Sequence, residues 1–182
     1  MRIEELKNLE QESLERGIPI LGSEKGSWLH KKVLQTKPKK ILELGTANGY
    51  SGCILGTEGA ELLTVEIDQK IAEEAKKNFE KFGVNAKVIV GDGVLEVERL
   101  VKERRVRGTL VPYFDLIFID FAKKKYFSVL EDCIKLVRKS GLIIADNMSW
   151  ASEEYKKAVL SHSKLKTEII NIKDGLSCSE KI

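Results

Sequence analysis

The chain has 182 residues, 42% hydrophobic and 32% charged, with a mean hydropathy of −0.20; this excludes a disordered or fibrous protein and predicts one core hiding roughly 70% of the unfolded chain's surface. Thirty-one basic residues nearly balance twenty-eight acidic ones, leaving +3, too little to announce a nucleic-acid partner, and no run approaches the ~18 apolar residues of a membrane span. Cys53, Cys133 and Cys178 are odd in number and widely separated, and His30 and His162 are few and scattered, which argues against a disulfide frame, a thiolate zinc site and a histidine-rich metal site.

The start, Met1-Arg-Ile-Glu-Glu-Leu-Lys-Asn-Leu-Glu10, is charged and amphipathic and lacks the apolar core and cleavage site of a signal peptide, so a cytoplasmic protein is expected. Ile3, Leu6, Leu9 and Leu14 share a helical face that is broken at Gly17-Ile-Pro19, and Ser27 to Gln35 reads as a second helix. The apolar stripe of the first either packs on its own sheet or makes a homodimer face. Residues 1–36 are read as a helical appendage to a Rossmann-like core at 37–182, and no linker or repeat divides this single domain.

From Lys40 onward short β-rich runs alternate with helical patterns, the mark of βαβ units, so the class is α/β with a mostly parallel sheet. Strands are expected at Ile41–Leu44, Glu61–Glu66, Ala86–Val90, Phe114–Asp120, Gly141–Ala145, Lys166–Ile172 and Leu176–Lys181. Asp68 starts a helix with Ile71, Ala75, Phe79 and Phe82 on one face, closed by Gly83. The segment after Asp92 gathers Val94, Val97, Leu100 and Val101, and a helix after Lys124 gathers Phe127, Leu130, Ile134 and Val137 and closes at Gly141. Only Lys173-Asp174-Gly175 joins the last two strands, too short for a parallel crossover, so they form an antiparallel hairpin.

Ile41-Leu-Glu-Leu-Gly45-Thr-Ala-Asn-Gly49-Tyr-Ser51 is a strand running into a glycine turn that opens a helix, the place where such sheets bind ligands. The spacing is neither the dinucleotide fingerprint nor a phosphate loop with its lysine. Between Ile41 and Gln69 there is no Lys or Arg, whereas Glu43, Glu58, Glu61, Glu66 and Asp68 occur. A pyrophosphate is unwelcome among these carboxylates and a cation is welcome. S-adenosylmethionine, with sulfonium and ammonium groups, is such a ligand. Glu66 then accepts from both ribose hydroxyls, and Asp92 meets the adenine amino group. The plainer alternative makes Gly45 and Gly49 turn residues and Glu66 a helix-terminus acid. Gly49-Tyr-Ser51-Gly-Cys53 resembles a hydrolase nucleophile elbow, but its final glycine is missing.

Phe114-Asp-Leu-Ile-Phe-Ile-Asp120 and Leu142-Ile-Ile-Ala-Asp146-Asn147 bring two carboxylates and an amide to neighbouring strand ends. Three oxygen donors suit a hard divalent cation, most simply Mg²⁺. The alternative is that Asp120 caps the following helix and Asp146-Asn147 is an ordinary turn.

These motifs, ILELGTANGYS, VEID, GDG, FDLIFIDFAKKKY, IIADNMSW and DGLSCSEK, resemble those of the cation-dependent O-methyltransferases that include catechol and caffeoyl-CoA O-methyltransferases, across Ile18 to Ile182. The resemblance implies a seven-stranded Rossmann-like methyltransferase sheet with the last strand antiparallel. It implies that Glu43, Gly45, Gly49, Ser51, Glu66, Asp92, Gly93 and Asp120 surround the methyl donor and that Asp120, Asp146 and Asn147 bind the metal. Lys123 matches the lysine proposed as general base, or else is the first of three solvated lysines. The chain departs from the pattern at Phe121-Ala122, where relatives usually carry Ala-Asp, and at Ala151 after the tryptophan. The stretch Ser149 to Leu165 is short beside the plant and animal enzymes, which implies an open acceptor pocket with Trp28 and Trp150 as aromatic walls or as core. The implied acceptor is a hydroxyl of a catechol-like small molecule. An alternative is a hydroxylated uridine of tRNA, with Lys37-Pro-Lys-Lys40, Lys102-Glu-Arg-Arg-Val-Arg107 and Lys123-Lys-Lys125 as phosphate contacts. A noncatalytic donor-binding regulator and an NAD-dependent oxidoreductase are the competing classes, the latter disfavoured by the acidic loop.

Overall fold

The computed structural model describes residues 3–106 and 108–182, with the side chain of Val106 left aside. Met1 and Arg2 of the expected first helix and Arg107 of the basic cluster lie outside the described residues. In chain order the elements are α1 (Lys7–Glu15, after a 3₁₀ turn at Ile3–Leu6), α2 (Ser23–Thr36), β1 (Lys40–Leu44), α3 (Tyr50–Leu55), β2 (Glu61–Glu66), α4 (Gln69–Phe82), β3 (Ala86–Val90), α5 (Gly93–Glu103), β4 (Arg105–Val106), β5 (Thr109–Leu110), β6 (Phe114–Ile119), α6 (Tyr126–Leu136), β7 (Val137–Ala145), α7 (Glu153–Ser161), β8 (Leu165–Ile170) and β9 (Leu176–Lys181). Seven strands form one sheet in the order β3-β2-β1-β6-β7-β9-β8, and β4 and β5 pair separately. The β1–β2, β2–β3 and β6–β7 pairs are parallel, and β9 runs antiparallel to both β7 and β8. This is the mostly parallel sheet with a reversed last strand that the sequence predicts.

The chain divides into two compact units at Gly91/Asp92. In the first, Ile41, Leu42 and Leu44 of β1 are buried together with Leu29 and Val33 of α2, Cys53 to Leu55 of α3, and Ala72, Ala75 and Phe79 of α4. Helix α4 has its start and stop written locally: the Asp68 carboxylate accepts from the backbone N–H groups of Lys70 and Ile71, and Gly83 closes it at φ +66°. In the second unit, Leu116 to Ile119 of β6 and Ile143 to Ala145 of β7 are fully buried. Such continuous apolar runs are what strands covered on both faces require. Val97 and Leu100 of α5, Val129, Leu130, Cys133 and Ile134 of α6, and Tyr155 and Val159 of α7 complete that core. Among the described residues no helix is long and apolar enough to cross a membrane.

Beside shifted ends in α2 (Ser23–Thr36 against Ser27 to Gln35) and β8 (Leu165–Ile170 against Lys166–Ile172), three elements differ from the expectation. Helix α6 ends at Leu136 rather than at Gly141, because Val137 turns extended and opens β7 by pairing with Phe114. The ammonium of Lys181 donates to the carbonyl oxygens of Ile134 (2.6 Å) and Val137 (2.7 Å), satisfying two acceptors that the helix end leaves without partners. Helix α7, not foreseen, is started by Ser152, whose hydroxyl accepts from the Tyr155 N–H; it buries only Tyr155 and Val159, too few to display a period. The β4–β5 hairpin pairs two residues with two, below the length that alternation can reveal.

Lys181→Met keeps the methylene stem and removes both bonds at the junction of α6 and β7. Urea unfolding is expected to show a loss of about 1–2 kcal/mol, and an unchanged midpoint would refute the capping role.

Candidate functional site

In the first unit β1 delivers the chain into the glycine loop. Gly45 (φ +99°) and Gly49 (φ +93°) occupy left-handed backbone, and the N–H groups of Gly45 and Thr46 both donate to the Val65 carbonyl, at 3.0 and 3.2 Å. A Cβ at Gly49 would lie 3.0 Å from the Phe79 ring and 3.3 Å from the Ala75 Cα, and one at Gly52 only 2.6 Å from Phe79. Glycine therefore lets α3 approach α4, and the positive φ at Gly49 restricts that site further.

Glu66, at the end of β2, is half-buried, and each of its oxygens accepts one backbone bond: Oε2 from the Ala47 N–H (2.9 Å) and Oε1 from the Asp68 N–H (3.0 Å). A carboxylate has about four acceptor positions, so this clamp aims the group and still leaves capacity for two hydroxyl donors. Glu43 lies deeper and is fully buried. Its oxygens accept from the Ser51 hydroxyl and the Thr64 hydroxyl, each at 2.6 Å. Thr64 spends its proton on Glu43, so in its close contact with Thr46 it is Thr46 that donates. The loop is also tied outward: the Asn48 amide donates to the Ser13 hydroxyl of α1 (2.7 Å), and the Asn78 amide of α4 donates to the Asn48 carbonyl (2.9 Å).

In the second unit Asp92 caps α5, its Oδ1 accepting from the Val94 N–H at 2.8 Å, while Oδ2 accepts from the Lys125 ammonium at 2.6 Å. The Lys125 bond first, and then the Val94 N–H, hold the Asp92 carboxyl below the usual aspartate range. Gly93 is the buried first residue of α5. Asp120 directly follows β6, with the Lys123 ammonium 3.6 Å from its Oδ1. Asp146 directly follows β7, is almost wholly buried, and its N–H donates to the Ile119 carbonyl at 3.0 Å. Because Ile119 pairs with Ala145, the two aspartates are the next residues on adjacent strands of one register.

Asn147 takes left-handed backbone at φ +53°, and its Nδ2 donates to Oδ2 of Asp174 at 2.5 Å. Tyr126, at the start of α6, is fully buried with no partner for its hydroxyl. Burial most of all, and then Asp120 and Asp146, push its phenol far up, so it stays neutral. Phe121 stacks on its ring with centroids 5.7 Å apart. Among the described residues no three His, Cys, Asp or Glu side chains are grouped to hold a metal. Asp120, Asp146 and Asn147 bring two carboxylates and an amide to neighbouring strand ends, oxygen donors whose chemistry fits a hard cation. Nδ2 of Asn147 is engaged with Asp174, so the amide oxygen is the end left to act as a donor to a ligand.

A sequence profile of the O-methyltransferase family matches residues 2–182. The chain belongs to the O-methyltransferase family. It is 32% identical over 141 residues to a catechol O-methyltransferase of Niastella koreensis, covering 74% of this chain and 61% of that protein. It is 29% identical over 156 residues to a caffeoyl-CoA O-methyltransferase of Stellaria longipes, covering 81% and 62%. The chain thus spans about three-fifths of the length of these curated relatives. Its fold matches the O-methyltransferase of Bacillus cereus in complex with S-adenosylhomocysteine at a TM-score of 0.82 and 21% identity, over 99% of this chain and 90% of that one.

Within this member of the family the residues expected around a methyl donor do different things. Glu66 is clamped by backbone and keeps open acceptor positions; Glu43 and Ser51 are bonded to each other behind the loop; Gly45 and Gly49 shape it. Asp92 is held by Lys125. Asp120, Asp146 and Asn147 follow the paired ends of β6 and β7, with Lys123 beside Asp120. Trp150, at the end of the 3₁₀ turn Met148–Trp150, is 73% exposed, and Trp28 is half-buried under the Lys32 ammonium. Sequence reasoning did not single out Thr64, Tyr126 or Asp174. Asp174 stood in the DGLSCSEK motif, where an Asp-Gly pair reads first as turn chemistry.

Lys125→Met is expected to bring the Asp92 carboxyl up toward the ordinary value of about 3.9, followed by carbon-detected NMR titration. The sign follows from the depressed folded value. Asp92 contributes its stability above the ordinary aspartate range and loses it as pH falls through its own lower value, so wild type outlasts the variant in that acid window. Identical titration in the two proteins would contradict the ion pair.

Proposed function

We propose that this chain is an S-adenosylmethionine-dependent O-methyltransferase that uses a divalent cation, most simply Mg²⁺, and methylates a hydroxyl of a catechol-like small molecule. The observation that carries the reading is the register at Ile119–Ala145, which puts Asp120 and Asp146 side by side with Asn147 next in line. Membership of the family and the names of the relatives support the same class of reaction.

Methyl transfer moves one carbon from sulfonium sulfur to an acceptor oxygen; the electron pair of the broken bond goes to sulfur, and the oxygen loses its proton. The bound cation supplies Lewis acidity that makes a hydroxyl more acidic. This chain's residues supply the rest. Glu66 receives the ribose hydroxyls with the lone pairs its backbone clamp leaves over. The absence of Lys and Arg between Ile41 and Gln69 keeps the loop favourable to a sulfonium and an ammonium. Glu43, Ser51 and Thr64 hold β1, α3 and β2 rigid behind it. Asp92 reaches the adenine amino group, with Gly93 permitting close approach. Asp120, Asp146 and the oxygen of Asn147 would bind the cation, and Lys123, adjacent to Asp120, takes the acceptor's proton when its amine is in the neutral form.

The small-molecule acceptor is favoured over tRNA by one observation. Lys123 and Lys125, two of the cations assigned to a phosphate surface, lie against Asp120 and Asp92 instead.

Protein stripped with EDTA is to be incubated with labelled methyl donor against a catechol panel and unmodified tRNA, with and without Mg²⁺. Label is expected in a catechol only when the cation is restored. Cation-independent transfer contradicts the metal role, and transfer to tRNA that collapses with added salt selects the other acceptor. Asp146→Ala is expected to lower kcat/KM at least about 100-fold while calorimetry finds S-adenosylhomocysteine binding nearly unchanged. Glu66→Ala is expected to weaken that binding about 10- to 100-fold, the loss of charge-assisted hydrogen bonds. Loss of product binding in a folded Asp146→Ala protein would mean the metal role is misassigned.

A further inference from the structure

We infer that Ser13 of α1, acting through Asn48, is a positioning residue for Glu66: the N-terminal helix holds the glycine loop in the form that aims this carboxylate at the donor's ribose hydroxyls. This rests on the ribose role proposed for Glu66 and deepens it.

The inward face of α1 carries Leu6 and Leu9 and then, where a further apolar residue would continue the stripe, Ser13, which is fully buried; Leu14, the leucine expected on that face, is 64% exposed. A hydroxyl in such a place is costly unless it is bonded. Ser13 Oγ donates to the Leu9 carbonyl at 2.5 Å and accepts from Nδ2 of Asn48 at 2.7 Å. Asn48 is itself buried, and its Oδ1 meets no partner among the described residues. The bond to Ser13 is therefore the only one its side-chain amide makes among them. Without it a buried amide is left unsatisfied at both ends, and the loop has reason to move.

Asn48 stands one residue from the group that grips Glu66. Ala47, whose N–H donates to Oε2 of Glu66 at 2.9 Å, sits in left-handed backbone at φ +44°, a conformation that alanine keeps only where its surroundings fix it. On one side Thr46 is fixed, with its N–H on the Val65 carbonyl and its hydroxyl on Thr64. On the other side Asn48 is fixed, its carbonyl by the Asn78 amide of α4 at 2.9 Å and its side chain by Ser13. The helix that carries Ser13 has anchors of its own. Glu10 accepts from the Ser23 N–H at the start of α2 (2.8 Å), and the Arg16 guanidinium meets both oxygens of Glu74 in α4, at 2.8 and 3.0 Å. What reads in the sequence as an appendage is thus joined to the donor's carboxylate, from Ser13 to Asn48 by a hydrogen bond, from Asn48 to Ala47 along the chain, and from Ala47 to Glu66 by its N–H.

The test is calorimetric affinity of the full chain for S-adenosylhomocysteine and for its 2′,3′-dideoxy analogue, in a double-mutant cycle of Ser13→Ala and Asn48→Ala. Wild type is expected to favour the intact ribose at least about 10-fold, as hydrogen bonds to a charged group require. Ser13→Ala is expected to weaken S-adenosylhomocysteine about 3- to 10-fold and the dideoxy analogue less than about twofold, so the preference shrinks. Asn48→Ala breaks the same link and is expected to behave alike; in its background Ser13→Ala is expected to change S-adenosylhomocysteine affinity less than about twofold, because its route is already gone. A preference of wild-type size in the variants overturns the inference. So does equal weakening of both ligands, which would mean a general loosening of the fold, and so does an undiminished effect of Ser13→Ala in the Asn48→Ala background. Should Ser13→Ala fail to fold by circular dichroism, Asn48→Ala, which leaves no amide to satisfy, carries the same criteria. Wild-type protein that binds both ligands equally removes the ribose role of Glu66 itself, whereas a wild-type preference that the variants retain removes only the role of Ser13.

Discussion

A strand covered on both faces has nowhere to keep a charge, and the chemistry of this chain follows from that constraint. Burial of an unpaired carboxylate is far costlier than burial of an apolar side chain, so acids are pushed to where apolar runs stop. Leu116 to Ile119 are buried and Asp120 comes next; Ile143 to Ala145 are buried and Asp146 comes next; Glu66 closes β2. Glu43, an acid fully buried inside β1, tests the rule. It is tolerated because hydroxyls from Ser51 and Thr64 meet its two oxygens, and a group so engaged works as a brace behind the glycine loop.

The two units use acids in different company. At the glycine loop of the first, Glu43 and Glu66 are set by hydroxyls and backbone N–H groups, with no cation in the segment that forms the loop, which leaves negative potential for a positively charged ligand. In the second, Asp92 and Asp120 each have a lysine near them, Lys125 and Lys123. The lysine near Asp120 is the one proposed above as the proton acceptor. The lysine on Asp92 joins the start of α6 to the start of α5 and holds an acid ionised at the head of a helix, where its charge is favourable.

Most of the sheet was legible because its signals are local. The β2, β3 and β9 ranges coincide with runs bounded by turn residues, Asp68 and Gly83 frame α4, and the three-residue link Lys173–Gly175 forces a hairpin. The end of α6 was not legible, since Val137 continues the helical period and only contacts from distant residues, Phe114 and Lys181, mark where the helix stops. Helix α7 carries too few buried residues to display its period. In the site, acids at strand ends could be found from pattern, and glycines from the turn they open. What pattern cannot show is which partner each polar group meets. That Glu43 braces while Glu66 stays available, that Asp92 is paired with Lys125, and that Asp174 faces Asn147 all depend on side chains brought together from far along the chain.

The most direct test of the central claim is a crystal structure of the chain with S-adenosylhomocysteine and Mg²⁺. The account predicts the ribose hydroxyls on Glu66 and the ion on Asp120, Asp146 and the amide oxygen of Asn147. Density for the ribose away from Glu66, or an ion held without Asp146, would contradict it.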